Sequence, residues 1–219
     1  AKAMTTHDVP VSYFSFEMPQ MQLMKRMIQS ISGVNLRSIH DRIATPEQEN
    51  RFQEASTEAK SLPLHTCHNV KGVDDLVAQC RYFVRKQGVK MVVIDYLQLI
   101  PFNGNKMSKA EGIAAISHRI KQMAIELNVA VVLLAQINRE GAKREGALSI
   151  YDLKDSGDIE NDADVVLMMW PHNGDVESSK DSDYRGPYTG LFYKLAKNRE
   201  GDRDISDFLK FYHCTRRFQ

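Results

Sequence analysis

The sequence predicts an α/β fold, with a mostly parallel sheet flanked by helices on both faces. Three observations point there. Short, continuous apolar runs alternate with longer stretches of helical periodicity. The runs "MVVI", "VAVVLLA" and "VVLMMW" leave no polar face, as in strands covered on both sides. Polar residues that can do chemistry stand directly after such runs, at the strand ends where α/β sheets bind ligands.

Taken in order, "VSYFSF" (11–16) reads as a strand. Pro19, at a first helical position, opens a helix that stops at Gly33. Thr45 and Gln48 form a capping-box pair around Pro46 and start a polar helix over 46–60. "LHTC" (64–67) is a short strand. Over 73–87, Leu76, Val77, Cys80, Phe83 and Val84 share one helical face. The strand 91–95 follows, and then a polar loop. Ser108 and Glu111 make a second capping box, opening a helix striped by Ile113, Ile116, Ile120, Met123 and Leu127. The runs 129–135 and 164–170 each predict a strand buried on both faces. Beyond Trp170 the pattern changes. A long polar loop (171–187) leads into "YTGLFYKLAKN" and "DISDFLKFYHCTRRF", two strands joined by "REGDR" as an antiparallel β-hairpin at the sheet edge. With no internal repeat, the economical organisation is one domain over residues 1–219.

The bulk numbers narrow the function classes. A chain of 219 residues with 42% hydrophobic and 26% charged content is globular and large enough for a substantial core. No apolar run reaches the roughly 18 residues needed to span a bilayer. Cys67, Cys80 and Cys214 are an odd, scattered set without metal spacing, which suits a reduced, cytoplasmic compartment better than a disulfide scaffold. A net charge of +1 is no bulk polycation, so any nucleic-acid site is local or assembled from several copies.

Asp95 is the most informative single residue. A carboxylate closing a strand after four apolar residues suits Mg²⁺ on a nucleotide, and equally suits hydrogen bonds from nearby backbone amides. Glu17 suits a base for an attacking water or a solvated residue ahead of Pro19. Gln136 suits a γ-phosphate sensor or an ordinary polar strand end. Lys197 and Arg199, spaced K-x-R, project from one face of a strand.

Five segments in register change this picture: "YFSFEMP" (13–19), "VVIDYLQLI" (92–100), "VVLLAQINR" (131–139), "LKDSGDIENDADVVLMM" (153–169) and "KNREG" (197–201). Over nearly the whole chain the sequence resembles the C-terminal RecA-like ATPase domain of DnaB-type hexameric replicative DNA helicases, phage or bacterial. The resemblance implies a RecA-like P-loop NTPase core and ATP-dependent unwinding of duplex DNA at the replication fork. It implies ATP and Mg²⁺ as cofactors, single-stranded DNA as partner, a homo-hexamer, and contacts to primase and a helicase loader, with no membrane partner.

Position by position, Glu17 matches the catalytic glutamate and Asp95 the Walker B aspartate that holds Mg²⁺. Gln136 matches the glutamine linking γ-phosphate to the DNA loops. Lys197 and Arg199 match the basic pair offered to the neighbouring subunit's nucleotide, Arg199 as the arginine finger. Arg139, Lys154, Asp155 and Gly157 match positions in loops facing the channel, and Lys143 and Arg144 add local positive charge partly offset by Glu140 and Glu145. Glycine at 157 would let backbone amides approach a phosphate.

The sequence departs from the family in one large respect: no G-x-x-x-x-G-K-[ST] occurs in it. The expectation is a fragment without the phosphate-loop segment and N-terminal domain, which by itself binds and hydrolyses ATP poorly. In smaller departures, Lys154-Asp155 replaces a more usual Arg-Glu, and "EGDRD" replaces a hairpin that usually carries proline. Two other readings fit the same residues. One is a RecA-like DNA-binding or recombination accessory ATPase without unwinding activity. The other is a non-catalytic interaction module that has lost its phosphate loop.

Overall fold

A computed structural model of the chain describes residue 4 and residues 7–102, 107–138, 148–153, 156–171 and 188–218, apart from the side chain of Ser156. Strand β1 (Val11–Ser15) leads through helices α1 (Gln20–Ser32), α2 (Leu36–His40) and α3 (Pro46–Ser61) to β2 (Leu64–Cys67). Helix α4 (Val73–Gln87) then precedes β3 (Met91–Asp95), and α5 (Lys109–Leu127) precedes β4 (Ala130–Leu133). The four strands form one parallel sheet in the order β2-β1-β3-β4.

Local signals set the helix boundaries. Both predicted capping boxes are present, Thr45 with Gln48 at α3 and Ser108 with Glu111 at α5. Pro19 is the residue just ahead of α1 rather than its first turn, a shift of one position. Gly33 ends α1 with φ 67°, a left-handed conformation that glycine adopts without steric cost.

Alternation along the central strands divides the core in two. Phe14, Val92 and Ile94 face α4 and α5, where Leu76, Val77, Cys80, Ile113, Ile116 and Met123 are all buried. The opposite face carries Val11, Met91 and Val93 against Met27 and Ile31 of α1. Helices therefore cover both faces.

The rest of the chain contains the expected antiparallel hairpin, but within a separate sheet rather than at the edge of the parallel one. After a seven-residue helix, α6 (Ser156–Asp162), strands β5 (Val165–Pro171), β6 (Tyr188–Asn198), β7 (Ser206–Tyr212) and β8 (Arg217–Phe218) form a separate antiparallel sheet in sequence order. The run at 164–170 thus pairs with β6 rather than joining the parallel sheet. Nor are β4 and β5 buried on both faces, because Val132 (47% exposed), Val165 (56%) and Leu167 (53%) reach the surface. Each strand stands at the end of its sheet, and a cleft of about 420 Å³ between them is lined by Val131, Leu133, Val165, Leu167, Ile120 and Ile159. Exposed and more covered residues alternate along both strands, with Val166 and Met168 packed in a core while Val165 and Leu167 are not, so each strand has one covered face and one open face.

The C-terminal sheet is tied to α1 through polar groups. Arg217 donates from Nε to the carbonyl of Ser30 and from Nη2 to that of Ile31, each at 2.6 Å, at the negative end of the helix dipole. Gln29 Nε2 donates to the Cys214 carbonyl at 2.5 Å. Arg217→Ala removes two charge-assisted bonds, each of the class worth about 1.5–3 kcal/mol. A lowered melting temperature, about 2 kcal/mol of stability lost, is the expected result by thermal denaturation. A Gly33→Ala change should also destabilise, since a Cβ there would lie 3.2 Å from Arg217 Nη1 at a positive φ.

Candidate functional site

Parallel neighbours end side by side, so the C-terminal tips of β1, β3 and β4 bring Glu17, Asp95 and Gln136 to one edge of the sheet. Glu17 is exposed, in the turn after β1. That turn is held by Ser15, whose hydroxyl donates to the Met18 carbonyl at 2.8 Å and accepts from the Met18 amide at 3.0 Å. The ladder between β1 and β3 pairs Ser15 with Asp95, and the Phe16 amide continues it to the Asp95 carbonyl at 2.8 Å.

Asp95 is half-buried, and its carboxylate Oδ2 accepts a hydrogen bond from the Tyr13 hydroxyl at 2.8 Å. Burial chiefly, and then the bond to Asp95 and its charge, push the Tyr13 phenol above its ordinary range, so it stays a protonated donor. The peptide bond after Asp95 is cis. Gln136 is exposed, and its backbone is gripped from both sides by one carboxamide. Gln98 Oε1 accepts from the Gln136 amide at 3.0 Å, and Gln98 Nε2 donates to the Gln136 carbonyl at 3.3 Å. Gln98 lies three residues past Asp95, so the strand-end carboxylate and the strand-end amide are mechanically linked.

Among the described residues, no group of three or more His, Cys, Asp or Glu side chains is placed to hold a metal ion by itself. A single carboxylate with one oxygen on Tyr13 and the other without a hydrogen bond among those residues fits a different case. Mg²⁺ keeps most of its waters and is held through one or two carboxylates plus the phosphates of a nucleotide. The donor set therefore fits a metal that arrives on its substrate.

Lys197 and Arg199 sit at the end of β6, in the antiparallel sheet, and both are engaged within their own chain. Lys197 Nζ donates to the Glu160 carbonyl and Arg199 Nη2 to the Asn161 carbonyl, both near the C-terminal end of α6. Arg199 Nη1 also meets Asp164 Oδ1 at 3.1 Å, while Lys121 holds the other oxygen at 2.5 Å. The Lys121 hydrogen bond, with help from the charges of Arg199 and Lys197, holds the Asp164 carboxyl below the ordinary carboxylate range. Its stabilising contribution is therefore complete above that ordinary range and fades as pH falls through the lowered value.

Gly157 lies in α6, and a Cβ built on it would meet nothing within 4 Å, so no neighbour among the described residues demands glycine there. Arg139, Lys143, Arg144, Lys154 and Asp155 lie outside the described residues.

Sequence reasoning missed Tyr13, Gln98 and Asp164. Tyr13 and Gln98 bond to partners 82 and 38 residues away, and no local spacing encodes such contacts. Asp164 carried a weak signal, as an acid directly before an apolar strand in "DADVV".

Comparison with known proteins accords with this geometry. The family model described as DnaB-like helicase C-terminal domain matches residues 1–219. The replicative DNA helicase DnaB of Geobacillus stearothermophilus is 31% identical over 218 residues, covering 95% of this chain and 46% of the relative. The replicative DNA helicase DnaC of Bacillus subtilis (strain 168) is 28% identical, over 98% of this chain and 48% of its own. The chain thus spans about half the length of these curated relatives. Among solved structures, one described as an ATPase domain superimposes with a TM-score of 0.84 at 28% identity, covering all of this chain and 76% of that one. A DnaB-like replicative helicase whose structure was described with its interactions with primase gives a TM-score of 0.86 at 27% identity, covering all of this chain and 52% of that one. With the parallel sheet, the gathered strand ends and a family match along its full length, the chain belongs to the DnaB-like helicase C-terminal domain family.

Proposed function

We propose that the chain belongs to the motor domain of a ring helicase that hydrolyses ATP to translocate on single-stranded DNA and unwind duplex DNA at the replication fork. The observation that carries this is that Glu17, Asp95 and Gln136 stand at or just after the C-terminal ends of three adjacent parallel strands. In this reading the exposed Glu17 carboxylate orients a water and takes its proton as the oxygen attacks the γ-phosphorus and the bond to the β-phosphate oxygen breaks. Asp95 holds Mg²⁺, which when bound neutralises charge on the phosphates. Gln136, gripped by Gln98, senses the γ-phosphate and passes the difference between nucleotide states to the loop that follows it.

Lys197 and Arg199 then serve the nucleotide of a neighbouring copy, Arg199 stabilising charge on the transferring phosphoryl group. A homo-hexamer is the assembly that brings such pairs together. The stretches holding Arg139, Lys143, Arg144, Lys154, Asp155 and Gly157 line the DNA path, and their mixed charge fits contact with the DNA backbone. Primase and a loader are the partners expected of such a ring. Among the described residues no helix is long and apolar enough to cross a membrane, and action on DNA in the cytoplasm follows from the same reading.

The test is strand displacement by the protein at its natural length on a duplex with a 5′ single-stranded tail. ATP-dependent displacement is expected. Strong ATPase without displacement would instead favour an accessory RecA-like ATPase, and neither activity would favour an interaction module.

A further inference from the structure

We infer that Tyr13 is a positioning residue for the Asp95 carboxylate, fixing which of its oxygens is presented to a nucleotide-borne divalent cation. This rests on the reading of Asp95 as the Mg²⁺ ligand. The parallel register pairs Tyr13 with Val93 and Ser15 with Asp95, so all four side chains leave the sheet on one face. From that face the phenol reaches along the sheet to Oδ2 at 2.8 Å. Phe14, on the opposite face, is fully buried and pins β1 against β3. The hydroxyl is thus delivered by one of the best-anchored strands of the molecule, not by a loop.

A carboxylate at the end of a strand can turn about its Cα–Cβ and Cβ–Cγ bonds. A hydrogen bond to one oxygen removes that freedom and leaves the other oxygen as the ligand atom. Partners in a metal's outer shell act in this way on ligand orientation, and their loss typically lowers metal affinity by about 10- to 100-fold. Phenol is well suited to the task. It is a neutral donor, so it orients the carboxylate without cancelling its charge as a lysine or arginine would. Its ring fills space on the α1 side of the sheet while only the hydroxyl meets the site.

The alternative is that the pair only satisfies two half-buried polar groups. The two differ in what Tyr13→Phe does, since phenylalanine keeps the ring and its packing. In the protein at its natural length, two quantities are measured for Tyr13→Phe and Asp95→Asn. One is the Mg²⁺ concentration at half-maximal ATP turnover. The other is binding of Mn²⁺ with a non-hydrolysable ATP analogue, followed by the electron paramagnetic resonance of the metal. For Tyr13→Phe both should shift to about 10-fold higher metal concentration, with nucleotide affinity in chelator unchanged. A metal dependence in Tyr13→Phe equal to that of the parent, alongside a large shift in Asp95→Asn, overturns the inference and leaves the Asp95 reading standing. If Asp95→Asn also leaves metal dependence unmoved, the reading of Asp95 itself fails.

Discussion

Arg199→Ala, in the protein at its natural length, is expected to lower ATP turnover by about 10³-fold or more while nucleotide affinity changes little, the behaviour of an arginine that acts only on the transferring phosphoryl group. The structure makes the control as important as the variant. In its own chain Arg199 is bonded to Asp164 and to the Asn161 carbonyl, so its loss also removes a local contact. That contact is exposed on both sides and of the class worth at most about 1 kcal/mol, far below the roughly 4 kcal/mol to which a 10³-fold rate effect corresponds. Asp164→Asn breaks the same ion pair and keeps the arginine. If the two variants lose turnover equally, Arg199 works at home by holding its own fold. If only Arg199→Ala fails, it works elsewhere. Mixing Arg199→Ala chains with Glu17→Gln chains decides where. A pair with an intact glutamate on one subunit and an intact arginine on the next recovers turnover only if the arginine crosses the interface.

Glu17→Gln has the second largest expected effect, a fall in turnover of about 10²- to 10⁴-fold, the range of general-base catalysis. The glutamine keeps size and polarity but cannot accept the proton of the attacking water. The position is exposed, and the turn that carries it is held by Ser15, so the fold should be unaffected. Single-turnover hydrolysis measured beside nucleotide binding separates the outcomes. Loss of turnover with binding retained supports the assignment. Parallel loss of both would assign Glu17 to nucleotide binding, and no loss of turnover would return it to the solvated turn residue that its exposure alone suggests.

Much of the parallel sheet was legible because its determinants are local. The capping boxes at Thr45 and Ser108 and the left-handed stop at Gly33 mark helix ends with side chains a few residues apart. The apolar face of α4 repeats at helical spacing, and the buried Leu76, Val77 and Cys80 follow it. The C-terminal half was less legible, because the same apolar run serves an inner strand and an edge strand. "VVLMMW" carries no mark of whether its neighbour is parallel β4 or antiparallel β6, since the pairing is decided by chain 20 or more residues away. The site divides in the same way. The strand-end placement of Glu17, Asp95 and Gln136 was visible because a strand end is a place on a sequence. Tyr13 and Gln98 were not, because a hydroxyl becomes the partner of a carboxylate only once β1 and β3 align in one particular register.

The two facing strand borders carry a cost of their own. Among the described residues, β4 and β5 each offer one row of amides and carbonyls to no other strand, beside exposed Val132, Leu134, Val165 and Leu167. Such borders are adhesive, and a net charge of +1 supplies little repulsion to keep like molecules apart. Prepared as these 219 residues alone, the polypeptide should clump as its concentration rises, visible as growing scattering in light-scattering or sedimentation runs. Val132→Lys together with Val165→Lys should keep it dispersed, and persistence of the clumps in that double variant would place the sticky surface elsewhere.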